Sequence, residues 1–149
     1  MTLEHYIAVG VMGVSEDNLL AVNAQVVRAA DGAARSVAEI QSLVSDANDA
    51  LAYILSHTSQ NTATDAVTAA DQIDQYNAAG VINVTEENLL AVNAQVRLTT
   101  ETTDKDSVAD LQALVVAADT ALGVIETHAA GDAALDETHF EAVGVLGVT

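Results

Sequence analysis

The sequence predicts an all-α protein: two tandem three-helix bundles, followed by the first helix of a third repeat. Three observations predict it. The stretch Asn18-Leu19-Leu20-Ala21-Val22-Asn23-Ala24-Gln25-Val26 returns unchanged as Asn88 to Val96, which marks an internal duplication. Apolar residues recur at steps of three and four, the spacing of one helix face. Helix-start signals precede these stripes in matching places of both copies.

The first helix, helix A, runs from Thr2 to about Val9, with Leu3 and Tyr6 on one side. Gly10 can take the left-handed position that stops it. Gly10-Val11-Met12-Gly13-Val14 then connects to helix B, and Gly80-Val81-Ile82-Asn83-Val84 is the copy. Helix B spans about Glu16 to Ala29, with Ser15 as its N-cap and Thr85 in the copy. Val14 with Leu19, and Val84 with Leu89, occupy the positions of a hydrophobic staple. Acidic residues fill the first turn, where the helix dipole favours them: Glu16 and Asp17, then Glu86 and Glu87. Leu19, Val22, Val26 and their copies Leu89, Val92 and Val96 form the buried stripe. Asn23 and Asn93 fall inside that stripe, and a buried amide must find partners. The expected role is a bond to a neighbouring helix that fixes register, as core Asn does in coiled coils.

Helix C opens on the capping box Ser36-Val37-Ala38-Glu39, copied as Ser107-Val108-Ala109-Asp110. Its stripe is Val37, Ile40, Val44, Ala47, Leu51 and Ile54, matched by Val108, Leu111, Val115, Ala118, Leu122 and Ile125. Helix A of repeat two spans roughly Asp65 to Ala78, with Val67, Ala70, Ile73 and Tyr76 inward. Phe140, Gly144, Val145 and Val148 restart the pattern of Tyr6, Gly10, Val11 and Val14. The expected units are residues 1–61, 62–132 and a truncated third repeat at 133–149, cut from a longer array and phased A-B-C because the A–B connection is the shortest; the alternative is B-C-A, in which each bundle closes with the following helix A and the boundaries shift by about one helix. Two small cores are expected, in bundles standing end to end. A bundle of that size buries only about 60% of its unfolded surface and is marginal alone.

The net charge of −18 argues against nucleic acid or anionic lipid as partners, because their phosphates would be repelled. No Cys is present, so no disulfide framework is possible. No uninterrupted apolar run reaches about 18 residues, so no membrane insertion is expected. The first residues carry no signal-peptide pattern.

Candidate chemistry is sparse. His5 pairs with His139 and His57 with His128 by the repeat, and none has a His or Cys three or four residues on. They read as capping or surface His, with no metal and no cofactor. Asp104-Lys105-Asp106 lacks the glycine and terminal Glu of a calcium loop. Asp71 and Asp74 lie one turn apart on a polar face, and no nucleophile elbow is present, so no enzyme is expected.

The Tyr-x3-Gly-Val connection, the capped helix B and the Ser-Val-Ala-Glu-Ile-Gln-Ser-Leu-Val opening of helix C at 36–44 resemble the repeats of very large bacterial surface and biofilm adhesins. More distantly they resemble the albumin-binding GA module, a three-helix bundle borne in tandem on bacterial surface proteins. The resemblance implies an extracellular, cell-surface location. It implies an extender whose partners are neighbouring repeats, or else a binding module for a host or matrix protein. Where GA modules carry aromatic and basic residues, at the start of the second helix, this chain has Glu16-Asp17-Asn18 and Glu86-Glu87-Asn88.

The charge makes a direct prediction. Self-repulsion opposes compaction, and its screening length falls from about 10 Å at 0.1 M salt to about 3 Å at 1 M. The melting temperature should therefore rise with NaCl. A flat NaCl response beside a large shift at micromolar calcium would mean that the acids form a cation site.

Overall fold

Why the chain turns where it does is clearest at the ends of its short helices. The computed structural model describes residues 1–29, 36–57, 68–101, 105–128 and 133–148, without the side chain of His57. Among these, seven α-helices and no strands are found: α1 (Leu3–Ala8), α2 (Leu19–Arg28), α3 (Val37–His57), α4 (Ala69–Ala78), α5 (Leu89–Leu98), α6 (Val108–Glu126) and α7 (Glu137–Ala142). The protein is all-α. Helix A of the sequence reading is α1, α4 and α7; helix B is α2 and α5; helix C is α3 and α6.

Each A helix ends the same way. Gly10 N–H donates to the Ile7 carbonyl and Val11 N–H to the Tyr6 carbonyl, which is a Schellman motif. Gly80 with Val81, and Gly144 with Val145, repeat both bonds. The glycines sit at φ +82, +83 and +87°, a region that favours residues without a Cβ. Three residues on, the chain is left-handed again, at Gly13, Asn83 and Gly147.

Helix B starts later than expected. Residues 16–18 and 86–88 form a turn, and the α-helices begin at Leu19 and Leu89. Ser15 still exchanges bonds with residue 18, but through an amide side chain whose reach favours a tight turn first. The capping boxes of helix C are present: Glu39 N–H donates to Ser36 Oγ (3.2 Å) and Asp110 N–H to Ser107 Oγ (3.2 Å). Helix A of repeat two begins at Ala69, capped by Thr68, so the expected start at Asp65 and the inward Val67 lie outside the described residues. Ala70 is exposed instead of inward, because the buried side of α4 runs through Tyr76 and Ala79, with Ile73 packed against it.

Packing differs from two separate cores. The buried apolar residues form one cluster running from Tyr6 to Val143. Helix α4 packs on α2 and α3, and α7 packs on α5 and α6. The boundary expected at 61/62 thus falls between α3 and α4, two helices that pack together. Helix α4 is thus tied in both directions: Tyr76 Oη donates to Asn93 on α5 of its own repeat, while the helix packs on α2 and α3 of the preceding one.

This junction also separates equivalent residues. Val108 is buried and its counterpart Val37 is 44% exposed. Val108 lines a groove together with Leu20 of the preceding helix B.

Length and hydropathy set one helix apart. Helix α6 is 19 residues long with a mean hydropathy of 1.7, enough by length and composition to cross a bilayer. Counting uninterrupted apolar runs missed it, because Asp110 and Asp119 break the run without ending the helix. Val108, Leu111, Val115 and Ala118 of α6 are buried within the core.

The glycine turns test this packing. A Cβ on Gly80 would meet Ala24 Cβ at 3.1 Å and the Leu20 carbonyl oxygen at 3.2 Å. On Gly144 it would meet the Leu90 carbonyl oxygen at 2.9 Å, but on Gly10 it would meet nothing within 4 Å. All three substitutions to Ala carry a left-handed cost of about 1–2 kcal/mol. Gly80→Ala should therefore lower the melting temperature more than Gly10→Ala, and equal losses would refute the close approach of α2 and the 80–82 turn.

Candidate functional site

The most constrained polar feature lies where helix A passes into helix B. Asn18 and Asn88 are each only 7% exposed. Asn18 Oδ1 accepts from Ser15 N–H (2.8 Å), and its Nδ2 donates to the Gly13 carbonyl (2.8 Å) and to Asn48 Oδ1 on α3 (2.8 Å). Asn88 repeats the set with Thr85 N–H (2.8 Å), the Asn83 carbonyl (2.9 Å) and Asp119 Oδ1 on α6 (2.8 Å). A buried amide with both hydrogens and its oxygen engaged fixes two backbone groups of the turn and one side chain of helix C at once.

A second amide works beside it. Gln41 of α3 accepts from Met12 N–H (2.9 Å) and donates to the Met12 carbonyl (2.8 Å). Gln112 of α6 does the same to Ile82, at 2.9 and 3.1 Å. A third amide ties successive repeats: Gln25 Nε2 donates to the Ala78 carbonyl (2.8 Å), and Gln95 Nε2 to the Ala142 carbonyl (2.8 Å).

The residues singled out in the sequence take the following places. Tyr6, Tyr76, Val22, Val92, Val84, Leu89 and Val96 are buried, while Val14, Leu19 and Val26 are partly buried. Phe140 is partly buried in α7. Gly10, Gly80 and Gly144 are the left-handed turn residues. Asn23 and Asn93 are half-buried and accept from Tyr6 Oη and Tyr76 Oη, both at 2.8 Å. Their Nδ2 groups donate to the Met1 carbonyl (2.9 Å) and to Gln72 Oε1 (2.9 Å). Burial pushes both tyrosine hydroxyls above their ordinary pKa, so they stay protonated donors.

The more deeply buried amides at 18 and 88 are the ones that sequence reasoning passed over. The available signal was an Asn three residues after Ser15 and Thr85, the spacing of a capping box with an unusual third member.

The ionisable groups are mostly caps. His5 Nδ1 accepts from Thr2 N–H (3.1 Å), and His139 Nδ1 lies 2.7 Å from Asp136 Oδ1. His128 is exposed. Lys105 Nζ donates to the carbonyls of Val96 (3.1 Å) and Thr99 (2.6 Å), closing the C-terminal end of α5, where a cation suits the dipole. Asp104 lies outside the described residues. Asp74 is exposed, and Asp71 caps α4 through Thr68, whose bonds hold its carboxyl below the usual range. Among the described residues no group of three or more His, Asp or Glu could hold a metal ion. An apolar groove of about 450 Å³ lies at the repeat junction, lined by Leu20, Ile82, Val108, Ala113 and Val116.

Comparison with protein-family models, with curated proteins and with solved structures finds no match. The class of protein is therefore stated from the fold alone: an all-α chain whose hydrogen-bonded turns recur with the sequence repeat.

Two predictions follow from this geometry. Asn88→Asp should destabilise more than Asn18→Asp, by about 1–3 kcal/mol for the groups left unpaired. The new carboxylate at 88 faces Asp119, whereas at 18 it faces an amide that can turn to donate. Denaturant unfolding of the two variants checks this, and equal losses would refute the role of Asp119.

Asp136 is held down to about 2 by bonds from Thr138 and His139. A carboxylate with a lowered folded pKa stabilises above its unfolded value, and that stabilisation is lost as pH falls through the folded value. Asp136 should thus titrate near pH 2 by NMR, with α7 loosening between the ordinary carboxylate range and that point; an ordinary midpoint would refute the cap.

Proposed function

We propose that the chain is a non-enzymatic repeat region of a large bacterial surface adhesin, extending an adhesive domain away from the cell. Its repeats are three-helix units. The observation that carries the reading is the junction between repeats. Gln25 with Ala78 and Gln95 with Ala142 make the same bond, and Gly80 and Gly144 make the same close approach to the preceding helix B. A junction copied in this detail propagates a fixed step from one unit to the next, as in solenoid arrays. That suits a spacer, whose task is length and direction. The partners are neighbouring repeats of the same chain, in an extracellular setting where a net charge of −18 keeps the surface solvated. No nucleic acid and no membrane insertion enter this reading, since α6 buries one face and ties Asp119 to Asn88.

The alternative is a binding module for a host or matrix protein. The apolar groove at the junction, with Leu20, Ile82 and Val116 exposed on its rim, is the feature that favours it.

Surface plasmon resonance against serum albumin and matrix proteins separates the two. The spacer reading expects no saturable binding. Micromolar or tighter affinity for any one of them, reduced by Val116→Glu in the groove, would replace it with the binding module.

A further inference from the structure

We infer that Asn83 is the acceptor of an N-linked glycan, which covers the apolar groove at the repeat junction. Asn83-Val84-Thr85 is the triplet Asn-x-Thr, without Pro in the middle, in which the Asn side-chain amide takes a sugar. No other Asn in the sequence has Ser or Thr two residues on.

The triplet is presented at the surface on a fixed turn. Asn83 and Thr85 are both exposed, between α4 and α5. Gln112 engages both backbone groups of Ile82 (2.9 and 3.1 Å), and Asn88 engages the Asn83 carbonyl (2.9 Å) and the Thr85 N–H (2.8 Å). The Asn83 carboxamide takes no part in this, and among the described residues it makes no hydrogen bond. The Thr85 hydroxyl lies 3.5 Å from Asn88 Oδ1 and also bonds the exposed Glu87 carboxylate, whose pKa it lowers.

Backbone conformation alone does not account for Asn at this place. Asn83 is left-handed, at φ +65°, and its counterparts Gly13 and Gly147 are at φ +78°. Asn is tolerated in that region, but glycine costs less there. The hydroxyl member of the triplet stands in both repeats, as Ser15 and Thr85. Asn83 in place of glycine completes the triplet in the second.

Its neighbour Ile82 is 59% exposed and lines the groove of about 450 Å³ with Leu20 and Val116. Both repeats that adjoin this groove are in place, and it stays open. A bulky, hydrated sugar on the next residue covers it.

In the transfer, Asn83 Nδ2 bonds to the anomeric carbon of a sugar carried on a phosphate or diphosphate ester. The carbon–oxygen bond to the phosphate breaks, the phosphate leaves with the electron pair, and one amide proton passes to a base of the transferase. The cell supplies the donor and the transferase. The inference rests on the extracellular part of the proposed function.

Mass spectrometry of peptides from the chain, isolated from the cells that make it, tests the site. The peptide holding Asn83 should carry added sugar mass. Asn83→Gly and Thr85→Ala should lose it, and Thr85→Ser should keep it. Gly and Ser stand at these places in repeat one, so two of the three variants keep a turn the fold already uses. A bare Asn83, or a sugar that persists in Thr85→Ala, would overturn the proposal. Fractionation of the same cells separates the two readings: a surface-located chain with a bare Asn83 overturns the glycan alone, and a chain held inside the cell with a bare Asn83 overturns the extracellular reading as well. For the covering role, Asn83→Gly should bind more of a fluorescent apolar dye than the glycosylated chain, and Val116→Glu should reverse the gain. Equal dye binding with and without the sugar would overturn that role.

Discussion

The amide of Asn18, and its copy at Asn88, is the constraint on which the rest of the structure depends. The passage from helix A to helix B reverses the chain within a few residues and runs against helix C. Its backbone groups leave water there and need partners. One side chain serves two of them and a third group besides: it caps the turn at Ser15 or Thr85, holds the left-handed residue at 13 or 83, and reaches the helix C side chain Asn48 or Asp119. Gln41 and Gln112 then hold the residue just before that left-handed one by both of its backbone groups. The turn is fixed mainly by amides, with one carboxylate, Asp119, among their partners. An amide carries no net charge and so adds none to a chain with 22 acidic residues against four basic ones.

Short helices make the neighbours indispensable. α1 and α7 have six residues each and α4 has ten, lengths at which a helix is unstable alone in water. Each is held at its start by a side-chain cap and at its end by a Schellman turn, and along its length by packing. For α4 that packing comes from both directions, from Asn93 of its own repeat and from α2 and α3 of the one before. A helix shared in this way couples the two repeats, and it explains why the buried residues form one cluster. Stability in such an arrangement is the sum of unit and interface contributions, so the junction matters as much as the unit.

The junction also accounts for the differences between the copies. Helix B is identical over nine residues, yet Val26 is partly buried and Val96 buried, and Leu19 is partly buried and Leu89 buried. The residues are the same; what differs is the surroundings, α3, α4 and α6 for α2 against α6 and α7 for α5. Even the polar partner differs, Asn48 in one copy and Asp119 in the other, since both can accept the same N–H.

Helix existence and type were legible in the sequence, because periodicity, caps and left-handed glycines are local properties. The stripe of helix C, the capping boxes at Ser36 and Ser107, and the turns at Gly10, Gly80 and Gly144 all depend on residues within one or two turns of each other. The need of Asn23 and Asn93 for a partner was legible too, though not that the partner would be a tyrosine hydroxyl seventeen residues away. The deeper burial of Asn18 and Asn88 was not, because a residue at a helix start looks solvated until helix C closes over it. Nor was the choice of neighbour for α4. Periodicity gives it an inward side, and cannot say whether the preceding or the following pair covers it. That was decided by the tertiary structure, through the close approach of Gly80 to α2 and the bond from Gln25 to the Ala78 carbonyl, both of which join residues more than fifty positions apart.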